Sequence, residues 1–111
     1  MDNIKNNEYY LKKIVVDLKI IMERMENIDE KEFNKNELLI DSVIFRLIQI
    51  SENSLKLSDQ FKKEHKNVQW KAIKGLRNRV VHDYGNVDLS IIFDTVKNSV
   101  PLLYKSLINL L

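Results

Sequence analysis

Residues 4–28 read Ile4-Lys5-Asn6-Asn7-Glu8-Tyr9-Tyr10-Leu11-Lys12-Lys13-Ile14-Val15-Val16-Asp17-Leu18-Lys19-Ile20-Ile21-Met22-Glu23-Arg24-Met25-Glu26-Asn27-Ile28. Ile4, Leu11, Leu18 and Met25 recur every seven residues, and Ile14, Ile21 and Ile28 follow three behind. Tyr10, Val15 and Met22 widen the stripe. A strand repeats every second residue, so this spacing predicts an amphipathic helix over about Asn3–Ile28. Asp29–Lys35 is charged and aperiodic, and reads as a connection with room for one helical turn.

The same period returns downstream. Leu39, Val43, Leu47 and Ile50 mark one face of a second helix, about Asn36–Leu57, and Ile40, Ile44, Ile48 and Leu55 extend it. A helix this apolar is largely buried. Its polar residues Ser42, Arg46, Gln49 and Asn53 stack on one side, flanked by Glu52. That strip is either the solvent face or a wall turned towards a site or partner. Ser58 is placed to cap a short third helix ending near His65. A fourth helix is predicted over about Val68–Asp83, with Gly85 as its stop. Asp88 caps the last, Leu89–Leu110, and Pro101 predicts a kink near Lys97–Pro101. No repeat or domain boundary interrupts the pattern. The expected fold is all-α, a single domain over residues 1–111, built as an antiparallel bundle of four main helices plus one short helix.

Composition agrees. Two Gly and one Pro leave few sharp turns, and an apolar fraction of 44% suits a packed core. With no Cys and two His, thiolate and His-rich metal sites are excluded, and no cofactor is expected. There is no apolar run long enough to span a membrane and no basic-then-apolar leader, so the chain reads as cytoplasmic. Charge is uneven: residues 1–55 hold 8 Lys+Arg against 11 Asp+Glu, and residues 56–111 hold 10 against 5. The basic excess, from Lys56 to Arg79, suits a polyanion, although a solvated helical surface gives the same count.

The fourth helix concentrates the chemistry. On an ideal helix Trp70, Arg77 and Tyr84 nearly eclipse one another and share a face with Lys74, while Asn78 and His82 meet on the next face. Arg77 and His82 lie about 140° apart around the axis and roughly 7.5 Å along it, so they converge only if Arg77 uses its long stem, the helix loosens near Gly85, or a second protomer closes the gap. A His can take the proton of a 2′-hydroxyl or give one to a leaving oxygen, and an Arg can hold a phosphate as charge develops on it. An Arg and a His at a helix end also occur as ordinary structural residues.

The order Arg77-Asn78-x-x-x-His82-x-Tyr84 resembles the R-N-x3-H-x-Y pattern of the HEPN superfamily in its HepT-like toxin form. The flanking Trp70–Leu76 is similar to the approach to that motif, Gly85–Asp88 with Ile92–Asn98 and Pro101 to the family's final helix, and Asp41–Glu52 to its second. Family members often carry Gly before the second-helix glutamate, where this chain has Ser51 before Glu52.

The resemblance implies a homodimer whose paired motif helices form a cleft, and a metal-independent endoribonuclease. It implies Arg77 and His82 as catalytic residues, a minimal nucleotidyltransferase as antitoxin, and Tyr84 as a site of adenylylation. Asn78, Glu52 and Arg46 are candidate supporting residues, and Lys74 and Arg79 candidate RNA contacts; no DNA partner is expected. Each has an ordinary counterpart. Arg46 and Glu52 read first as a buried ion pair, Arg77 could pair with Asp83 or Glu52, and Trp70 reads as core rather than a base platform. The alternative function is a non-catalytic module holding RNA or a nucleotidyltransferase.

Overall fold

The computed structural model describes residues 6–80 and 87–111. Helix α1 runs Asn7–Arg24. Asn6 caps it, its side-chain oxygen accepting the Tyr9 N–H at 3.0 Å. Its inner face, Leu11, Ile14, Val15, Leu18 and Ile21, is buried as the heptad spacing requires. The helix ends short of the predicted Ile28 because Asn27 takes φ 61°, the left-handed conformation that asparagine tolerates and that stops a helix.

The charged stretch expected to be a connection is a helix, α2, Glu30–Lys35. Asp29 accepts the Glu32 N–H, and Glu32 reaches back to the Asp29 N–H, a reciprocal capping box. Six residues carry no periodicity to read, yet Phe33 is fully buried and packs at 5.7 Å between centroids on Phe93. There are thus two short helices beside the main ones, where one was expected.

Helix α3, Glu37–Ser54, buries Leu39, Val43, Leu47 and Ile50. It runs antiparallel to α1, because contacts descend along it as they climb α1: Asn7 with Ser58, Asp17 with Arg46, Arg24 with Ser42. Ser58 caps α4, Asp59–Glu64, as its position predicts. Two further helices follow, α5 (Trp70–Lys74) and α6 (Leu76–Val80). Asp88 caps α7 (Leu89–Asp94), its carboxylate accepting the Ser90 and Ile91 amides.

The predicted kink resolves into a π turn, Thr95–Ser99, followed by α8, Val100–Ile108. Pro101 has no N–H to give the Lys97 carbonyl, so the ladder widens by one residue just before it, and Val100 N–H reaches back to Thr95 O. The Lys97 ammonium crosses to the Met25 carbonyl at 2.8 Å, a cation on the last free acceptors of α1. Buried side chains from every helix but α4 form one hydrophobic core, and α4 packs Phe61 against it. No helix among the described residues is long and apolar enough to cross a membrane.

Phe33→Ala is expected to lower unfolding free energy by about 3–5 kcal/mol, since it empties a fully enclosed site. Leu38→Ala, at a position 84% exposed, should change it by less than about 0.5 kcal/mol; denaturant titration of both proteins checks the contrast.

Candidate functional site

The stretch expected as one helix from Val68 to Asp83 is broken at Gly75. Helical bonds still bridge the break, Gly75 N–H to Lys71 O at 2.9 Å and Arg79 N–H to Gly75 O at 3.0 Å. The Lys74 carbonyl, however, accepts the Ser51 hydroxyl from α3 rather than the next turn's amide. Ser51 is itself buried, and its own carbonyl accepts the Ser54 hydroxyl at 2.6 Å. Gly75 suits the crowding there: a Cβ would stand 3.2 Å from the Lys71 carbonyl oxygen. Ser51 on α3 thus holds the end of α5 at the break.

The two segments divide cleanly into faces. Ile73, Leu76 and Val80 are fully buried. Lys71, Lys74, Arg77, Asn78 and Arg79 are exposed. No ion pair with any described residue occupies Arg77, and in particular none joins it to Glu52, which is exposed. Arg79 donates to the Ser99 hydroxyl at 3.4 Å, which turns it towards the π turn. His82 and Tyr84, with Asp83 and Gly85, lie outside the described residues, as does the predicted end of the motif helix.

Trp70 lies before the break and Arg77 after it. Trp70 is half-buried against Phe61, 6.0 Å between centroids, and its indole N–H donates to the His65 carbonyl at 3.0 Å. It is a packing residue that fastens α5 to α4, in line with the core reading.

The polar strip of α3 is a seam against α1 that borders the hollow between the two helices. The Ser42 hydroxyl accepts from Arg24, and Arg46 pairs with Asp17 at 2.5 Å, both side chains largely buried. The expected Arg46–Glu52 pair therefore does not form. Arg46 belongs to the α1–α3 seam, remote in partner and in helix face from the Lys74–Arg79 segment. Asp17 went unread, although a carboxylate beside the Ile14–Leu18–Ile21 stripe was the visible sign of a buried cationic partner. Ser51 had a sign too, in the departure from glycine; Ser54 had none.

Among the described residues no group of three or more His, Asp or Glu converges. The exposed segment therefore offers guanidinium, ammonium and amide donors, a set that holds phosphate oxygens and repels cations.

Comparison with known proteins places this arrangement. The family model described as ribonuclease HepT-like matches residues 14–110. The chain is 30% identical over 102 residues to a candidate RNase of Caldanaerobacter subterraneus subsp. tengcongensis, covering 92% of this chain and 91% of that one. It is 34% identical over 85 residues to a candidate RNase of Methanocaldococcus jannaschii, covering 77% and 78%. It is 27% identical over 99 residues to a candidate ribonuclease HepT of Thermococcus cleftensis, covering 89% and 90%. No solved structure matches at the same stringency.

Ser51→Ala should cost about 1–2 kcal/mol, because it leaves the Lys74 carbonyl without its hydroxyl. Helical circular dichroism should rise slightly as α5 and α6 merge. Unchanged stability together with unchanged helicity would show that Ser51 does not hold the break.

Proposed function

We propose, from the fact that this chain belongs to the ribonuclease HepT-like family, that it is a metal-independent endoribonuclease toxin held in check by a nucleotidyltransferase antitoxin. The observation that carries the reading is the state of Arg77 and Asn78. They sit on a helix whose opposite face is core, and they are exposed, with no ion pair to the described residues. Lys74 and Arg79, exposed on the same segment, add positive charge for a phosphate chain. Glu52 keeps a supporting role in this reading only as a neighbour on α3, and Arg46 has none.

In the proposed reaction His82 takes the proton of a 2′-hydroxyl. The 2′-oxygen then bonds to phosphorus, the bond from phosphorus to the 5′-oxygen breaks, and that oxygen leaves with a proton from an imidazolium. Arg77 holds the phosphate oxygens as charge builds on them. The products are a 2′,3′-cyclic phosphate and a 5′-hydroxyl. A homodimer that sets two motif helices side by side supplies both histidines and closes the gap between Arg77 and His82. A partner enzyme would silence the site by letting the Tyr84 hydroxyl attack the α-phosphorus of ATP, releasing pyrophosphate. The adenylyl phosphate then competes with RNA for Arg77.

Arg77→Ala and His82→Ala should each lower the cleavage rate by about two to four orders of magnitude with normal folding, and a chelator should leave the wild-type rate unchanged. Rates measured on a labelled RNA, with sedimentation of each protein, test this. Activity that vanishes in chelator and returns with magnesium, or persists in a dilute monomer, would count against it.

Tyr84→Phe should retain cleavage but escape silencing when incubated with the partner and ATP, as read by intact mass and residual activity. If wild type gains no adenylyl mass, or the variant is silenced equally well, control rests on binding alone.

A further inference from the structure

Between α6 and α8 the surface sinks into a cleft of about 260 Å³ that the catalytic reading above does not use. Its floor is apolar, formed by Leu76, fully buried, and Leu103, 7% exposed. Leu102 stands at its edge with 69% of its surface in water, a large apolar side chain with no packing partner to explain it. Around the mouth stand two primary amides, Asn67 and Gln69, and the Arg79–Ser99 pair. The π turn is what brings Ser99 here: the extra residue ahead of Pro101 resets the phase of the last helix, and such turns gather at functional sites.

We propose that this cleft is a subsite for one nucleobase of the RNA, across α6 from the phosphate held by Arg77; the proposal rests on the ribonuclease reading. The lining selects this chemistry. One guanidinium among neutral amides and hydroxyls is too little charge for a phosphate cluster. Amides and hydroxyls both donate and accept, as the edge of a base requires. An apolar floor with a planar guanidinium at the rim suits the faces of a flat heterocycle, which is how unstacked bases of single-stranded RNA are held. The larger hollow between α1 and α3, about 520 Å³, is lined instead by Tyr9, Lys12, Lys13 and the Asp17–Arg46 pair, away from the motif segment. Arg79 follows Arg77 by two residues on the same helix, about 200° further round, so a strand held by Arg77 reaches the cleft by crossing the exposed face of α6 over Asn78.

The experiment has two arms. In the first, the four ribonucleoside 3′-monophosphates are titrated into the labelled wild-type protein, and amide shifts at Gln69 and Ser106 are followed. One base should move them more than the other three. In the second, wild type, Gln69→Ala and Ala72→Leu, which fills the cleft from α5, cleave a randomised RNA pool. Base preference at one position beside the cut should fall by about fivefold or more in both variants. Gln69 is exposed, so its variant carries the test even if the larger residue at 72 is not accommodated. A wild type that cleaves RNA without such shifts, with variants that keep its preference, overturns the subsite alone. A wild type that shows the shifts and cleaves nothing overturns the ribonuclease reading and leaves the nucleobase site standing.

Discussion

Helix α3 is apolar around most of its girth, and the molecule is arranged to cover it. Leu39, Val43, Leu47 and Ile50 cannot be left in water, so α1 closes one side and α5 with α6 another. Burying a helix on several sides brings its polar residues into contact with neighbours, and each must then find a partner or cost free energy. The partners found are what position the rest. Arg46 meets Asp17 and Ser42 meets Arg24, which fixes the register of α1. Ser51 meets the Lys74 carbonyl, which fixes the break in the motif segment. The same helix therefore sets the framework on one side and the candidate site on the other.

This separates stability from chemistry within a short stretch of chain. Ile73, Leu76 and Val80 hold the segment down, while Arg77, Asn78 and Arg79, interleaved with them, are released to the surface. Trp70, before the break, serves packing, while Arg77 and Asn78, after it, stand in solvent on an element that the core holds in place.

The long helices were legible in the sequence because their apolar repeats run for several turns, and Ser58 and Asp88 announced the caps of α4 and α7. The motif was legible as an order of residue types. Helix α2 was not: its six residues hold one buried side chain, Phe33, and one such residue has no period. The break at Gly75 was hidden because it arises from a hydrogen bond to Ser51, distant in sequence, and helix propensity carries no trace of such a bond. The Arg46 partner was misread for a related reason. Glu52 lay nearby in sequence, but Asp17 lay opposite in space, and proximity along one helix outweighed the carboxylate interrupting another.

The first and last helices of this chain depend on each other. Met25 at the end of α1 is held by Lys97, and Val96, Val100, Leu103 and Leu107 supply core that residues 7–80 lack. Contacts that far apart in sequence form late, after the loop between them has closed. Helix α3 lies beneath α6 from the start, but the core it shares with α1 stays open until residues 96–107 dock, so the first and last helices close the same core together.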